Sequence, residues 1–241
     1  MTLDPIDGHN IGEHPLIVQL LKGCYNSKPP RARYNIMWDP DVVLKHFASL
    51  QENKDLSLTI ISQKLVTLIA LACLLRVSEI AAISVSSINF SESTTTFSIL
   101  RPRKTQHLGP LRSFSLPRLS GPTCPVDCLQ NYVERTASLR QQHCDRLFIS
   151  LKRPHKPIDS STIARWIKQC LTLAGVNSDF GAHSTRGSAA SKAARAGIST
   201  NQILKAASWT SELVFDRFYH RDTSNSNTIA QTVLTQSSSH L

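Results

Sequence analysis

The stretch Leu58–Leu75, LTIISQKLVTLIALACLL, limits what this chain can fold into more than any other. Its Leu, Ile, Val and Ala residues are too dense to form one stripe, so a helix here must be buried on most of its sides. Such a helix needs other helices packed around it, which directs the chain toward a mainly helical domain. The most apolar part, Leu65 to Leu75, is interrupted by Thr67 and is too short to span a bilayer. No membrane insertion is expected.

Companion helices are legible on both sides. Asp39-Pro40 is a cap followed by proline at the first helical position, and Val43, Phe47 and Leu50 share one face behind it. A short helix follows the central one through RVSEIAAI. Pro125 starts another, with Val126, Leu129 and Val133 inward. Ile163, Trp166, Ile167, Cys170 and Leu171 form an apolar stripe at helical spacing that Gly175 stops. Ala189, Ala190, Ala193 and Ala194 mark a small-residue helix, and Ser199 with Gln202 forms a capping box for the next. Between the central helix and Pro125, Phe97 and Ile99 alternate with polar residues, as do Phe114 and Leu116. These predict a small antiparallel sheet whose hairpin carries Lys104 outward in LRPRKTQHLGP, with Val85, Ile88 and Phe90 as a third strand. The fold class read from this pattern is α+β, mainly α.

Residues 1–33 read as a lead-in in which HPLIVQLLKG precedes the linker-like KPPRAR. Lys28, Arg31 and Arg33 there are either solvated linker charges or phosphate contacts. Residues 222–241 form a Ser-, Asn- and Thr-rich tail in which Ile229, Val233 and Leu234 mark one short docking helix. Lys and Arg number 27 against 17 acidic residues, a formal charge of +10, which favours a polyanionic partner such as nucleic acid. The amino-terminal MTLDPIDGHNIGEH lacks the apolar core of a signal peptide. Of the six cysteines only Cys124 and Cys128 lie close together, and no second pair completes a zinc site. A reduced intracellular protein is expected, with no disulfide, metal or cofactor.

Four separated segments carry chemistry: Leu75-Arg76-Val77-Ser78-Glu79, Pro102-Arg103-Lys104, His183-Ser184-Thr185-Arg186, and Trp209 through Tyr219. Each has an ordinary structural reading. Arg76 can pair with Glu79, His183 can be a hydrogen-bonded structural residue, Trp209 can be core, and Tyr219 can be a packed aromatic.

Their order and spacing resemble the tyrosine recombinase (phage integrase) family over roughly Tyr34 to Arg221. The family's L-R-x-S-E-L is matched by LLRVSEI, and its H-x-x-R by HSTR within GAHSTRGSAAS. Trp209 follows Arg186 by 23 positions, as the family's third His or Trp does, and Tyr219 is the only tyrosine beyond Tyr132. Two departures stand out. The step from Trp209 to Tyr219 is one residue longer than in phage and bacterial members, where the shorter register would place Phe218, which has no hydroxyl. The resemblance also implies an amino-terminal core-binding domain, of which residues 1–33 would be only the end. The carboxy-terminal wording SWTSELVFDRFYHR is most similar to the recombinases of DIRS-like retrotransposons.

The resemblance implies a helical catalytic domain over residues 34–221 that cuts and rejoins DNA without metal or ATP. Arg76 and Arg186 would hold the non-bridging oxygens, because a planar guanidinium donates two parallel hydrogen bonds and stays charged. Tyr219 would attack phosphorus and leave a 3′-phosphotyrosine, with His183 accepting its proton. Lys104 would protonate the departing 5′-oxygen, with Arg103 the neighbouring alternative, and Arg101 and Arg103 would contact DNA. Trp209 would either donate its indole N–H to phosphate or pack against Tyr219. The implied partner is double-stranded DNA held by a homo-oligomer, a tetramer on two duplexes, acting inside the cell and, if the host is eukaryotic, in the nucleus. The competing readings are a DNA-binding protein of this fold that does not cleave, and a helical interaction module.

Overall fold

The computed structural model describes residues 5–29, 34, 36–99 and 112–209. It divides into two compact units, Met1–Asn35 and Ile36–Leu241. The first holds a 3-10 turn, Ile11–Glu13, and helix α1, Pro15–Ser27, which begins with proline at its first turn. Leu16, Leu20 and Leu21 are exposed on α1.

In the second unit the Asp39 carboxylate caps α2 (Pro40–Ala48) by accepting the Asp41 N–H. The Ser57 hydroxyl caps α3 (Leu58–Cys73) in the same way through the Ile60 N–H. As the Leu58–Leu75 composition requires, α3 is central: every residue from Ile61 to Ala70 is buried, and α3 packs against helices α5, α6 and α7. Those helices span Pro125–Thr136, Ser160–Leu173 and Ser184–Arg195. Polar residues of α3 find partners within the helix and on its neighbours. Thr67 Oγ1 donates to the Gln63 carbonyl at 2.8 Å, and Gln63 Nε2 to Gln169 Oε1 at 2.9 Å.

The central helix stops two residues before the predicted end, because buried Leu74 turns left-handed at φ +51°. The chain then enters the short helix α4 (Val77–Ile80). A three-stranded antiparallel sheet follows in the order β1 (Asn89–Phe90), β2 (Thr94–Ser98), β3 (Ser113–Pro117). Phe97 faces Phe114 across the β2–β3 ladder with ring centroids 5.6 Å apart, the expected alternation.

The third strand is shorter than predicted. Val85 and Ile88 lie in a turn rather than a strand. The cause is Asp145, whose carboxylate accepts the Ser86 N–H at 2.8 Å and the hydroxyls of Ser84 and Ser86. Those bonds curl residues 84–87 away from an extended path.

The five stripe residues of α6 are all buried, and Gly175, at φ +84°, ends the helix in the left-handed conformation that glycine adopts without strain. The Ser199–Gln202 capping box opens α8 (Thr200–Ala207). No helix among the described residues is long and apolar enough to cross a membrane.

Candidate active site

The carboxyl end of α3 begins the site. Leu74 packs with Ala190 of α7 and with Ile203 and Ala207 of α8, and Ala193, Leu204 and Trp209 border the same cluster. Arg76, two residues on, stands at the amino terminus of α4. The Glu79 carboxylate takes its backbone N–H at 2.7 Å and its Nη1 at 3.0 Å. The Arg76 side chain remains 41 % exposed while that of Glu79 is 8 % exposed. The expected pairing with Glu79 is therefore present, and it leaves much of the guanidinium facing solvent.

Helix α7 presents His183 and Arg186 three residues apart, a spacing that sets two side chains on one face. His183 is its exposed N-cap. The next residue is pinned from elsewhere: Trp38 Nε1 donates to Ser184 Oγ at 2.8 Å, and that hydroxyl donates to the Gly181 carbonyl at 2.7 Å. Lys192 farther along α7 pairs with Asp41 of α2.

Arg186 is 7 % exposed. Its Nη2 donates to the Ala207 carbonyl at 2.6 Å, at the end of α8, and its guanidinium carbon lies 5.2 Å from the centroid of the Trp209 ring. The end of α8 thus meets a buried cation, complementing the negative end of the helix dipole.

The α8 terminus is a Schellman turn built on serine. Ser208 is left-handed at φ +52°, the Trp209 N–H reaches the Leu204 carbonyl at 3.0 Å, and the Ser208 N–H reaches the Lys205 carbonyl at 3.2 Å. Arg112, one residue before β3, closes the same turn. Its Nη2 donates to the carbonyls of Lys205 at 2.6 Å and Ala206 at 3.1 Å, and its Nη1 to the Ser208 hydroxyl. Its guanidinium carbon stands 5.0 Å from the centroid of the Phe114 ring. Burial pushes the neighbouring Cys73 thiol up to about 12, and the Arg112 charge opposes that rise.

Of the six catalytic candidates, Arg186 and Trp209 are brought into contact. His183 shares the first turn of α7 with Arg186, and Arg76 follows the turn whose Leu74 packs on α7 and α8. Lys104, Tyr219 and the DNA-contact candidates Arg101 and Arg103 lie outside the described residues, as do Arg31, Arg33 and the tail helix expected at Ile229, Val233 and Leu234. Trp38 and Arg112 carry no motif and escape a reading of the sequence.

The fold resembles solved recombinases. A post-cleavage complex of XerH site-specific recombinase bound to palindromic difH substrate superposes with a TM-score of 0.63 at 14 % identity, covering 86 % of this chain and 58 % of that one. XerA recombinase gives 0.57 at 18 % identity over 92 % of this chain and 76 % of that one. The Tn1549 transposon integrase in complex with transposon right end DNA gives 0.55 at 14 %, over 86 % and 67 %. At these identities the likeness is one of fold, and the chain spans little more than half the XerH chain. No curated protein sequence matches it. The phage integrase family profile matches residues 43–225, a span that contains Arg76, Lys104, His183, Arg186, Trp209 and Tyr219. With most of its length inside that span and the fold to match, this chain belongs to the phage integrase family.

Proposed function

We propose that the chain is a tyrosine recombinase that breaks and rejoins double-stranded DNA through a 3′-phosphotyrosine at Tyr219. The observation that carries this reading is the Arg186–Trp209 contact at the end of α8, ten residues before Tyr219, with His183 on the same face of α7. In the reaction the phenolic oxygen of Tyr219 bonds to phosphorus as the bond to the 5′-oxygen breaks. His183 takes the phenol's proton and Lys104 gives one to the departing oxygen. Arg76 and Arg186 hold the charge that grows on the non-bridging oxygens, and Trp209 adds its indole N–H or steadies Tyr219. Attack by another 5′-hydroxyl reverses these steps, so rejoining needs neither ATP nor metal. Arg101 and Arg103 contact the DNA backbone beside Lys104.

The catalytic domain spans residues 34–221 on this reading, with residues 1–33 leading in and residues 222–241 as a tail. The enzyme acts as a tetramer on two duplexes, integrating or excising a mobile element of the DIRS-like retrotransposon kind, in the nucleus if the host is eukaryotic. The DNA-bound complexes of the similar folds, the +10 charge and the SWTSELVFDRFYHR wording support these points. A second reading, a DNA-binding protein of this fold that does not cleave, has one observation on its side: the Glu79 ion pair already gives Arg76 a structural task.

A randomised pool of nicked duplexes separates the two. A recombinase leaves protein–DNA adducts that survive denaturation and vanish in Tyr219→Phe. Salt-sensitive binding with no adduct from any sequence would refute the cleavage reading.

A further inference from the structure

We propose that Arg112 is a positioning residue of this reaction, the clamp that fixes Trp209 by closing the end of α8 from the root of β3. The inference rests on the recombinase reading of the site. An α-helix ends with four carbonyls that its own backbone cannot satisfy. In α8 the turn itself takes two of them: Leu204 accepts from the Trp209 N–H and Lys205 from the Ser208 N–H. Arg186 takes Ala207. Ala206 is taken by Arg112, which also doubles the bond to Lys205 and holds the Ser208 hydroxyl.

Ser208 needs that hold. It occupies the left-handed region at φ +52°, where glycine is the usual residue and a serine sits under strain. Arg112 is itself braced, because its guanidinium lies against Phe114, which is stacked on Phe97 in the sheet. A single planar group thus joins the sheet to the turn that delivers Trp209. In sequence Arg112 stands eight residues after Lys104, and Ser208 eleven before Tyr219. The clamp therefore links the strand that follows the proton donor to the helix end that precedes the nucleophile.

The test uses the full chain and a nicked duplex recovered from the randomised pool. In Arg112→Gln the rate of adduct formation at saturating DNA falls about 10- to 100-fold, the scale of a misplaced catalytic group. The DNA dissociation constant stays within about twofold, because a clamp that acts through α8 leaves the phosphate contacts in place. Amide hydrogen exchange rises at residues 205–209. Adding Ser208→Gly restores much of the lost rate, because glycine adopts the left-handed turn without a clamp. If Arg112→Gln does not fold, Arg112→Lys replaces it. Its ammonium is a compact point charge without the planar two-armed fork, so it shows the same pattern at smaller size. An unchanged adduct rate, a slowed rate without faster exchange, or a loss that Ser208→Gly leaves untouched would overturn the proposal. No adduct in the wild type would overturn the recombinase reading instead, and the exchange measurement would then report whether Arg112 holds α8 at all.

Discussion

Lys64 sits in the middle of the central helix and is 1 % exposed. Its ammonium donates to Asn53 Oδ1 at 2.8 Å and stands 6.0 Å from the Phe47 ring centroid. No carboxylate among the described residues forms an ion pair with it. Burial holds its pKa below the ordinary lysine value. Lys64→Met keeps the unbranched stem and removes the charge. Exchanging buried ion pairs for apolar residues of similar volume ranges from neutral to a gain of about 4 kcal/mol, and an unpaired buried ammonium has no partner charge to offset its desolvation. Against this, the half-buried Asn53 amide loses its donor, a cost of about 1 kcal/mol because water can reach it. The expected net gain is about 1–2 kcal/mol at neutral pH, or a Tm rise of about 2–8 °C for a domain of this size. The pH dependence has a definite sign. A lysine whose folded pKa lies below its unfolded one destabilises fully below the folded value, and that penalty disappears as pH climbs through the unfolded value of 10.5. Paired thermal melts at pH 7 and near pH 10 check this, with the advantage of methionine shrinking at the higher pH. A methionine variant that melts lower than wild type, or an advantage independent of pH, would refute the reasoning.

Three further outcomes are expected. Arg186→Lys loses the planar fork that reaches Ala207 and lies against Trp209, so denaturant melts should show a loss of about 2–4 kcal/mol. Its adduct rate should fall about 10²- to 10³-fold as well. Trp38→Phe removes the hydrogen bond that pins Ser184 beside His183, costing about 1 kcal/mol in the same melts and slowing cleavage severalfold without changing DNA affinity. Lys104→Ala should slow adduct formation about 10²-fold or more with DNA binding nearly intact, and a substrate with sulfur at the 5′-leaving position should recover the rate because it departs without a proton. A large binding loss with normal cleavage of bound DNA would reduce Lys104 to a phosphate contact.

Features set by neighbours in sequence were legible before the structure. The α6 stripe, the Gly175 stop and the Ser199–Gln202 box are patterns within one or two helical turns, and each forms as read. The errors arise where distant groups intervene. Asp145 bends residues 84–87 out of a predicted strand from 59 to 61 positions away. Leu74 leaves α3 early because its side chain joins a cluster supplied by α7 and α8. Among the candidate residues, Arg76, His183, Arg186 and Trp209 are legible because their types, order and spacing match the family's motifs. Trp38 and Arg112 are not, because their contacts cross 146 and 93 to 96 positions and nothing in their local wording sets them apart.

The bond from Arg186 to the end of α8 has an evolutionary consequence. A copy of this gene that does not cut DNA still has to fold, and the guanidinium under Ala207 and Trp209 serves the fold whether or not the chain cleaves. His183, exposed at the start of α7, makes no side-chain cap hydrogen bond to that helix. If the proposed reaction is the chain's own, relatives that abandon it should lose the histidine before the arginine, so a retained Arg186 reports on the scaffold and a retained His183 on the proposed chemistry.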